Sequence, residues 1–181
     1  GLGDVYKRQT YSDLGPTHQS LEDVAITRTI PGMTVMSPGD PTEIVLAVHA
    51  IVAHTGPVYM RIGQQPMPVL EPQEAPFELG KARLLRDGSD VTILATGTVV
   101  SKAYEAAQQL AGEGIDARLL SVHTVKPLDR AAILQAARET GRIVTVEEHY
   151  CAGGLGGAVA EILSLECPTP MKMIGVDDQF A

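Results

Sequence analysis

The chain has no tryptophan, only two phenylalanines, and an aromatic content of 4% over 181 residues. Its core must therefore be built from Val, Ile, Leu, Ala and Met, which favours layered α/β packing, where buried parallel strands read as aliphatic runs. Cysteine is equally sparse. Cys151 and Cys167 are too few for the disulfide framework of a small secreted domain, so a reducing, cytoplasmic setting is expected. No apolar run approaches the roughly 20 residues that span a bilayer, and residues 1–10 lack the apolar stretch of a signal peptide. No membrane association is expected. Positive charge is also short, with 14 Lys and Arg against 22 Asp and Glu and a net charge of −8. That balance argues against a nucleic-acid groove or an anionic membrane as partner, since both need clustered cations. A small anionic substrate needs only one or two local positive groups, and stays compatible.

What is present is 44% hydrophobic residues, distributed with two alternating periods. Residues 1–10 show neither period and are expected to be non-native or disordered. A helix is marked from Ser20, with Glu22 and Asp23 in its first turn, where the macrodipole favours negative charge, and Pro31-Gly32 stops it. Residues 33–36 read as a short strand. Asp40 caps a further helix with Pro41 at its first position, and residues 42–54 carry Ile44, Val45, Val48, Ile51 and Val52 at helical spacing. Residues 58–62 read as another buried strand, completing one β-α-β unit.

Residues 64–76 hold four prolines and no period, which predicts a linker. The pattern then restarts. An edge strand is expected over 81–85, strands over 91–95, 117–122, 143–146 and 171–176, and helices over 99–111, 129–140 and 155–163. Ala103, Ala106, Ala107 and Leu110 are expected inward in the first of these helices, and Ile133, Ala136 and Ala137 in the second. Lys126-Pro127-Leu128-Asp129 reads as a turn plus helix cap. The predicted class is α/β, with parallel or mostly parallel sheets flanked by helices. One complete Rossmann-like domain follows part of another, because the elements before residue 64 are too few to bury a core by themselves.

Three clusters could carry chemistry. Gly15-Pro16-Thr17-His18-Gln19 places an imidazole just before a helix, where it tends to stay neutral and suits hydrogen bonding or proton relay. A surface histidine is the plainer alternative. Gly153-Gly154-Leu155-Gly156-Gly157 follows a strand and opens a helix, as in a dinucleotide fingerprint. Val159 stands at the third glycine position, however, and no carboxylate lies about 20 residues on. Close helix packing explains these glycines better. Glu147, Glu148 and His149 close a strand and could form a metal or acid/base site, or a structural or interfacial one. For His49, His54 and His123 the sequence names no partner.

The run YSDLGPTHQSLEDVAITRTIPGMTVMSPGDPTE, residues 11–43, resembles the pyrimidine-binding domain of transketolases. GPVYMRIG, VTILATG, TVKPLD and VTVEEHYCAGGLGGAVAE resemble the end of that domain and the transketolase C-terminal domain, in the same order. The resemblance implies residues 11–63 as the C-terminal part of a pyrimidine-binding domain, 64–76 as linker and 77–181 as the C-terminal domain. It looks most like the C-terminal chain of a split transketolase of carbohydrate metabolism, such as the pentose phosphate reactions. His18 would be the catalytic histidine and contact the cofactor. Asp13 stands one step from the family's substrate-binding Asp, with Leu14 at the matching position. Arg61 and Gln64 would face the substrate, Gln64 at a place where several members hold a phosphate with Arg. The implied cofactors are thiamine diphosphate and Mg²⁺, with most ligands outside this chain. The implied partners are a second copy, or an N-terminal transketolase subunit in a heterotetramer, and a sugar or sugar-phosphate substrate. Within the superfamily, 1-deoxyxylulose-5-phosphate synthase and the β chain of a 2-oxo-acid dehydrogenase are alternatives. A non-catalytic dimerisation module is another.

Overall fold

The computed structural model describes residues 20–63, 66–70 and 77–178. Its elements in chain order are α1 (Asp23–Arg28), β1 (Thr34–Met36), α2 (Pro41–Ala53), β2 (Val58–Met60), β3 (Arg83–Arg86), β4 (Val91–Ala95) and α3 (Val100–Gly112). β5 (Ala117–Ser121), β6 (Thr124–Lys126), α4 (Arg130–Thr140), β7 (Ile143–Tyr150), α5 (Leu155–Glu166) and β8 (Met171–Val176) follow. A five-stranded sheet runs in the order β3-β5-β4-β7-β8, and a three-stranded one in the order β2-β1-β6. In the larger sheet only β3, on the edge, is antiparallel to its neighbour. The α/β class expected from composition is the one observed, with mixed sheets flanked by helices.

Period-two alternation divides the larger sheet between two cores. Ile93 and Ala95 of β4 face α3, packing with Val100, Ala103, Ala107 and Leu119. Leu94 faces the other way, into a cluster of Leu120, Ile133, Ala137, Ile143, Leu155 and Val159 beneath α4 and α5. Thr92, also fully buried on that second face, meets the Thr140 hydroxyl at 2.9 Å. Buried polar groups need such partners because water is excluded. Ala106, expected inward, instead lines an open apolar groove beside Val144, Val146 and Ile174.

The helix caps follow local chemistry. Asp40, in extended conformation, accepts from the Glu43 amide at 2.7 Å, with Pro41 in the first turn. Asp129 accepts from the Ala132 amide at 3.1 Å, and Gly141 ends α4 at φ 65°, a left-handed conformation that glycine adopts without steric penalty. Ser20 does not cap the first helix. That helix begins at Asp23, and the residue before it, Glu22, makes no side-chain cap.

Two further differences from expectation have clear causes. Lys126, expected in a turn, instead ends β6, a strand over residues 124–126 that the sequence does not predict and that pairs antiparallel with β1. Between β5 and β6 the chain leaves one sheet and joins the other within two residues, too few for the alternation to show a break. On α2, Val45, Val48 and Val52 are 46%, 45% and 83% exposed, while Thr42, Glu43 and Ala47 are buried. The buried face of α2 is turned by polar contacts. Glu43 accepts from the Gly39 amide at 2.7 Å and pairs with Arg83 of β3 at 3.2 Å. Burial pushes the Glu43 carboxyl above its ordinary value, partly offset by those partners. Among the described residues, no helix is long and apolar enough to cross a membrane.

Gly88 lies in the turn before β4. A Cβ there would meet the backbone of Ala117, Arg118 and Asp116 at 2.5, 2.6 and 2.7 Å. Gly88→Ala is therefore expected to destabilise the fold by about 1–3 kcal/mol. Gly112, the last residue of α3, has nothing within 4 Å of an added Cβ, and Gly112→Ala should stabilise by about 0.5–1 kcal/mol. Urea midpoints on opposite sides of the parent chain check both signs.

Candidate functional site at the junction of the sheets

β4 pairs with β7 only as far as Ala95 opposite Val146. β7 then continues through Glu147, Glu148, His149 and Tyr150 and reaches toward α1 and the smaller sheet. Alternation persists along this overhang, so the inward positions pass from Ile143 and Thr145 to Glu147 and His149. Each of these last two buried groups is matched to backbone.

Glu147 is 4% exposed and accepts from the amides of Leu155 at 2.6 Å and Gly156 at 2.8 Å, the first residues of α5. Donors that an anion would otherwise find at this helix start are thus satisfied by the chain's own carboxylate. The glycine-rich stretch is consequently no dinucleotide cradle. Its small residues permit close approach instead: a Cβ on Gly154 would fall 2.0 Å from the Glu147 carboxylate and 2.7 Å from His149 Nδ1, and one on Gly153 2.8 Å from Ala25 Cβ.

His149 is fully buried. Its Nε2 accepts from the Ala25 amide at 3.2 Å, and its Nδ1 lies 2.7 Å from the Tyr150 carbonyl. An amide can only donate and a carbonyl only accept, so the ring is neutral with its proton on Nδ1. Tyr150 donates its own amide to the Leu21 carbonyl at 3.0 Å. From the other side, Arg61 Nη2 donates to the Ser20 carbonyl at 3.2 Å, while Arg61 Nε lies 3.6 Å from the Asp23 carboxylate. The Tyr59 hydroxyl donates to that same carboxylate at 2.5 Å. Arg28 closes the far end of α1 by donating to the Gly153 carbonyl at 3.1 Å and pairing with Glu161 at 2.6 Å.

Of the residues singled out from sequence, His18, Asp13 and Gln64 lie outside the described residues. Arg61 is present at the junction, 6% exposed, with its guanidinium turned onto Ser20 and Asp23. Glu147 and His149 come together, with Nδ1 3.8 Å from the carboxylate. Glu148 turns to the opposite face and accepts from the Thr98 hydroxyl at 2.5 Å. Among the described residues, no cluster of His, Cys, Asp or Glu could hold a metal ion. His123 is buried and stacks on Phe77 with ring centroids 4.1 Å apart. Burial and the nearby Arg83 lower its pKa to about 4. Sequence reasoning missed Asp23 and Tyr59. Asp23 carries a signal only as a first-turn carboxylate, and its pairing with Arg61 depends on how the strands are ordered.

Burial pushes the Glu147 carboxyl up to about 7, only partly offset by the Gly156 and Leu155 amides and the charges of Arg61 and Arg28. Burial lowers His149. A raised carboxyl binds its proton more tightly in the folded state. Its contribution is therefore fully present below the ordinary value of 4.5 and is lost as pH rises toward about 7. Glu147→Gln is expected to abolish that slope. It also sets an amide NH₂ against a backbone donor, destabilising by about 1–3 kcal/mol. Chemical denaturation of both proteins at several pH values between about 5 and 8 measures the two effects. An unchanged slope would place the titration elsewhere.

Comparison with known families places this geometry. Residues 9–68 match the family described as transketolase, pyrimidine binding domain, and residues 80–180 match transketolase, C-terminal domain. The 6-deoxy-6-sulfo-D-fructose transketolase subunit SqwH of Clostridium sp. (strain MSTE9) is 51% identical over 166 residues, covering 92% of this chain and 52% of that protein. A subunit of the apulose-4-phosphate transketolase of Phocaeicola vulgatus is 47% identical over 170 residues, covering 93% and 54%. A solved structure titled "Split gene transketolase, inactive beta4 tetramer" is 43% identical with a TM-score of 0.88, covering 90% of this chain and 55% of that one. The chain spans about half the length of these relatives.

Proposed function

The chain belongs to the transketolase family, and on that premise we propose that it forms the C-terminal part of a thiamine-diphosphate-dependent transferase. The enzyme moves a two-carbon ketol unit from a ketose to an aldose. The observation that carries this reading is the succession of the two family matches, 9–68 and then 80–180, across one continuous buried junction. A partner subunit supplies the remaining half, as the names of the split relatives suggest. The setting is cytoplasmic, in keeping with two free thiols.

Thiamine diphosphate, when bound, supplies the carbon nucleophile and electron sink of ketol transfer. The described donors do not compose a site for its diphosphate or for Mg²⁺. Both Glu147 oxygens accept from amides, and Arg61 and Arg28 are turned onto groups of this chain. Those ligands accordingly come from the partner. His18 is the catalytic group of this chain, holding or passing a proton at the substrate's carbonyl oxygen. Asp13 and Gln64 contact the sugar. Arg61, nearly sealed from solvent, acts by holding the stretch that follows His18. The substrate is a sugar or sugar phosphate. The names of both curated relatives carry an anionic group, a sulfo and a phosphate.

The isolated chain with thiamine diphosphate and Mg²⁺ is expected to show no ketol transfer, and mixing with an N-terminal transketolase subunit should restore it. In that assembly His18→Ala should lower kcat by about 10²–10⁴-fold with the oligomer intact. Turnover by the lone chain would overturn the proposal, and an unchanged His18→Ala rate would favour an association module. Decarboxylation of pyruvate by the assembly would move the reading to 1-deoxyxylulose-5-phosphate synthase or a 2-oxo-acid dehydrogenase.

A further inference from the structure

The overhang of β7 meets the described residues that follow His18 in sequence at two points, and Arg61 meets them at a third. Within six residues of chain, the Ser20 carbonyl is bound by Arg61, the Leu21 carbonyl by the Tyr150 amide, and the Ala25 amide by His149 Nε2. Two of these three ties come from consecutive residues of one strand that belongs to the other sheet. The His149 ring has no slack. Its Nδ1 proton is committed to the Tyr150 carbonyl, Gly154 leaves no room behind the ring, and its surface is fully buried. A ring fixed at both nitrogens transmits the position of β7 to α1 as a rigid spacer.

We propose that His149 is a positioning residue for the catalytic segment, its Nε2 lone pair holding the Ala25 amide so that the backbone from Ser20 onward, two residues past His18, is set by the end of β7. This rests on the reading of His18 as catalytic. His149 touches neither substrate nor cofactor. Its effect is geometric, and a displacement of the order of 1 Å at a reacting group can lower a rate about 10²-fold.

The test uses the complete assembly with its N-terminal subunit. His149→Phe keeps a buried ring without an acceptor, whereas His149→Gln returns a carbonyl oxygen near the position of Nε2. If the Phe variant does not fold, His149→Asn replaces it, keeping a donor toward the Tyr150 carbonyl and no acceptor for Ala25. Hydrogen exchange of the peptide spanning 19–28 is expected to accelerate at least about tenfold in the Phe or Asn variant and to return in His149→Gln, with α4 and β4 unchanged. In the same variants kcat should fall by about 10–100-fold with KM nearly constant, and recover in His149→Gln. Unchanged exchange, or a Phe variant with the parent kcat, overturns the proposal. His18→Ala is measured alongside. If it retains the parent rate, the premise about His18 fails. If it loses the rate while His149→Phe keeps it, the positioning role alone fails.

Discussion

Four residues of β7 extend past the point where β4 stops, and the junction between the sheets depends on what they bury. On the side where β4 stops, the strand has backbone donors and acceptors with no ladder to enter, although its other edge still pairs with β8. Here the Tyr150 amide is taken up by a distant part of the chain, the Leu21 carbonyl, and the Tyr150 carbonyl by the adjacent His149 ring on the same strand. The inward side chains are polar for the same reason. At this depth the groups to be satisfied are the free amides of α1 and of α5, which an aliphatic side chain would leave orphaned. Glu147 meets the second helix and His149 the first. Deep burial thus makes a carboxylate and an imidazole structural requirements at a place where, in an open α/β sheet, one looks first for ligands.

A second buried polar bridge crosses between the sheets. Arg83 of β3 and Glu43 of α2 pair with their side chains 6% and 2% exposed, and Glu43 also holds the Gly39 amide. Such pairs are poor sources of net stability, because the desolvation of two charges offsets much of their attraction. Removing one partner is a different matter, since it strands a charge. The bridge therefore acts as a registry device, disfavouring any docking in which α2 does not meet β3 at this position.

Much of the fold is legible because it is written locally. Asp40-Pro41, Asp129 and Gly141 mark helix ends through hydrogen bonds within three or four residues, and β4 and β8 appear at the bounds expected from their aliphatic runs. Legibility fails where an element is defined by something distant. The aliphatic run predicts that β7 ends at Val146, because Glu147-Glu148-His149 resembles a solvated terminus until α1 and α5 are brought against it. β6 has three residues and exists only because β1 lies beside it. The valines of α2 follow helical spacing, yet the buried face is chosen by the Glu43 bridge. At the candidate site, Arg61 can be found from sequence, but its partners Ser20 and Asp23 cannot. The resemblance locates the chemistry near His18, and the described structure shows how the chain after it is held.

The short β6 has a bearing on how such a chain is made. β1 gains its third strand from residues 124–126, after the chain has already run through β3, β4 and β5 of the other sheet. The small core of Val24, Val35 and Val125 stays open until that return crossing arrives. During synthesis, which delivers the N-terminal residues first, the earlier segment waits unfinished while most of a second sheet is being laid down. Closing it is a non-local event, of the kind that slows folding. The two parts of the chain, distinct as they look in sequence, therefore share one of their cores.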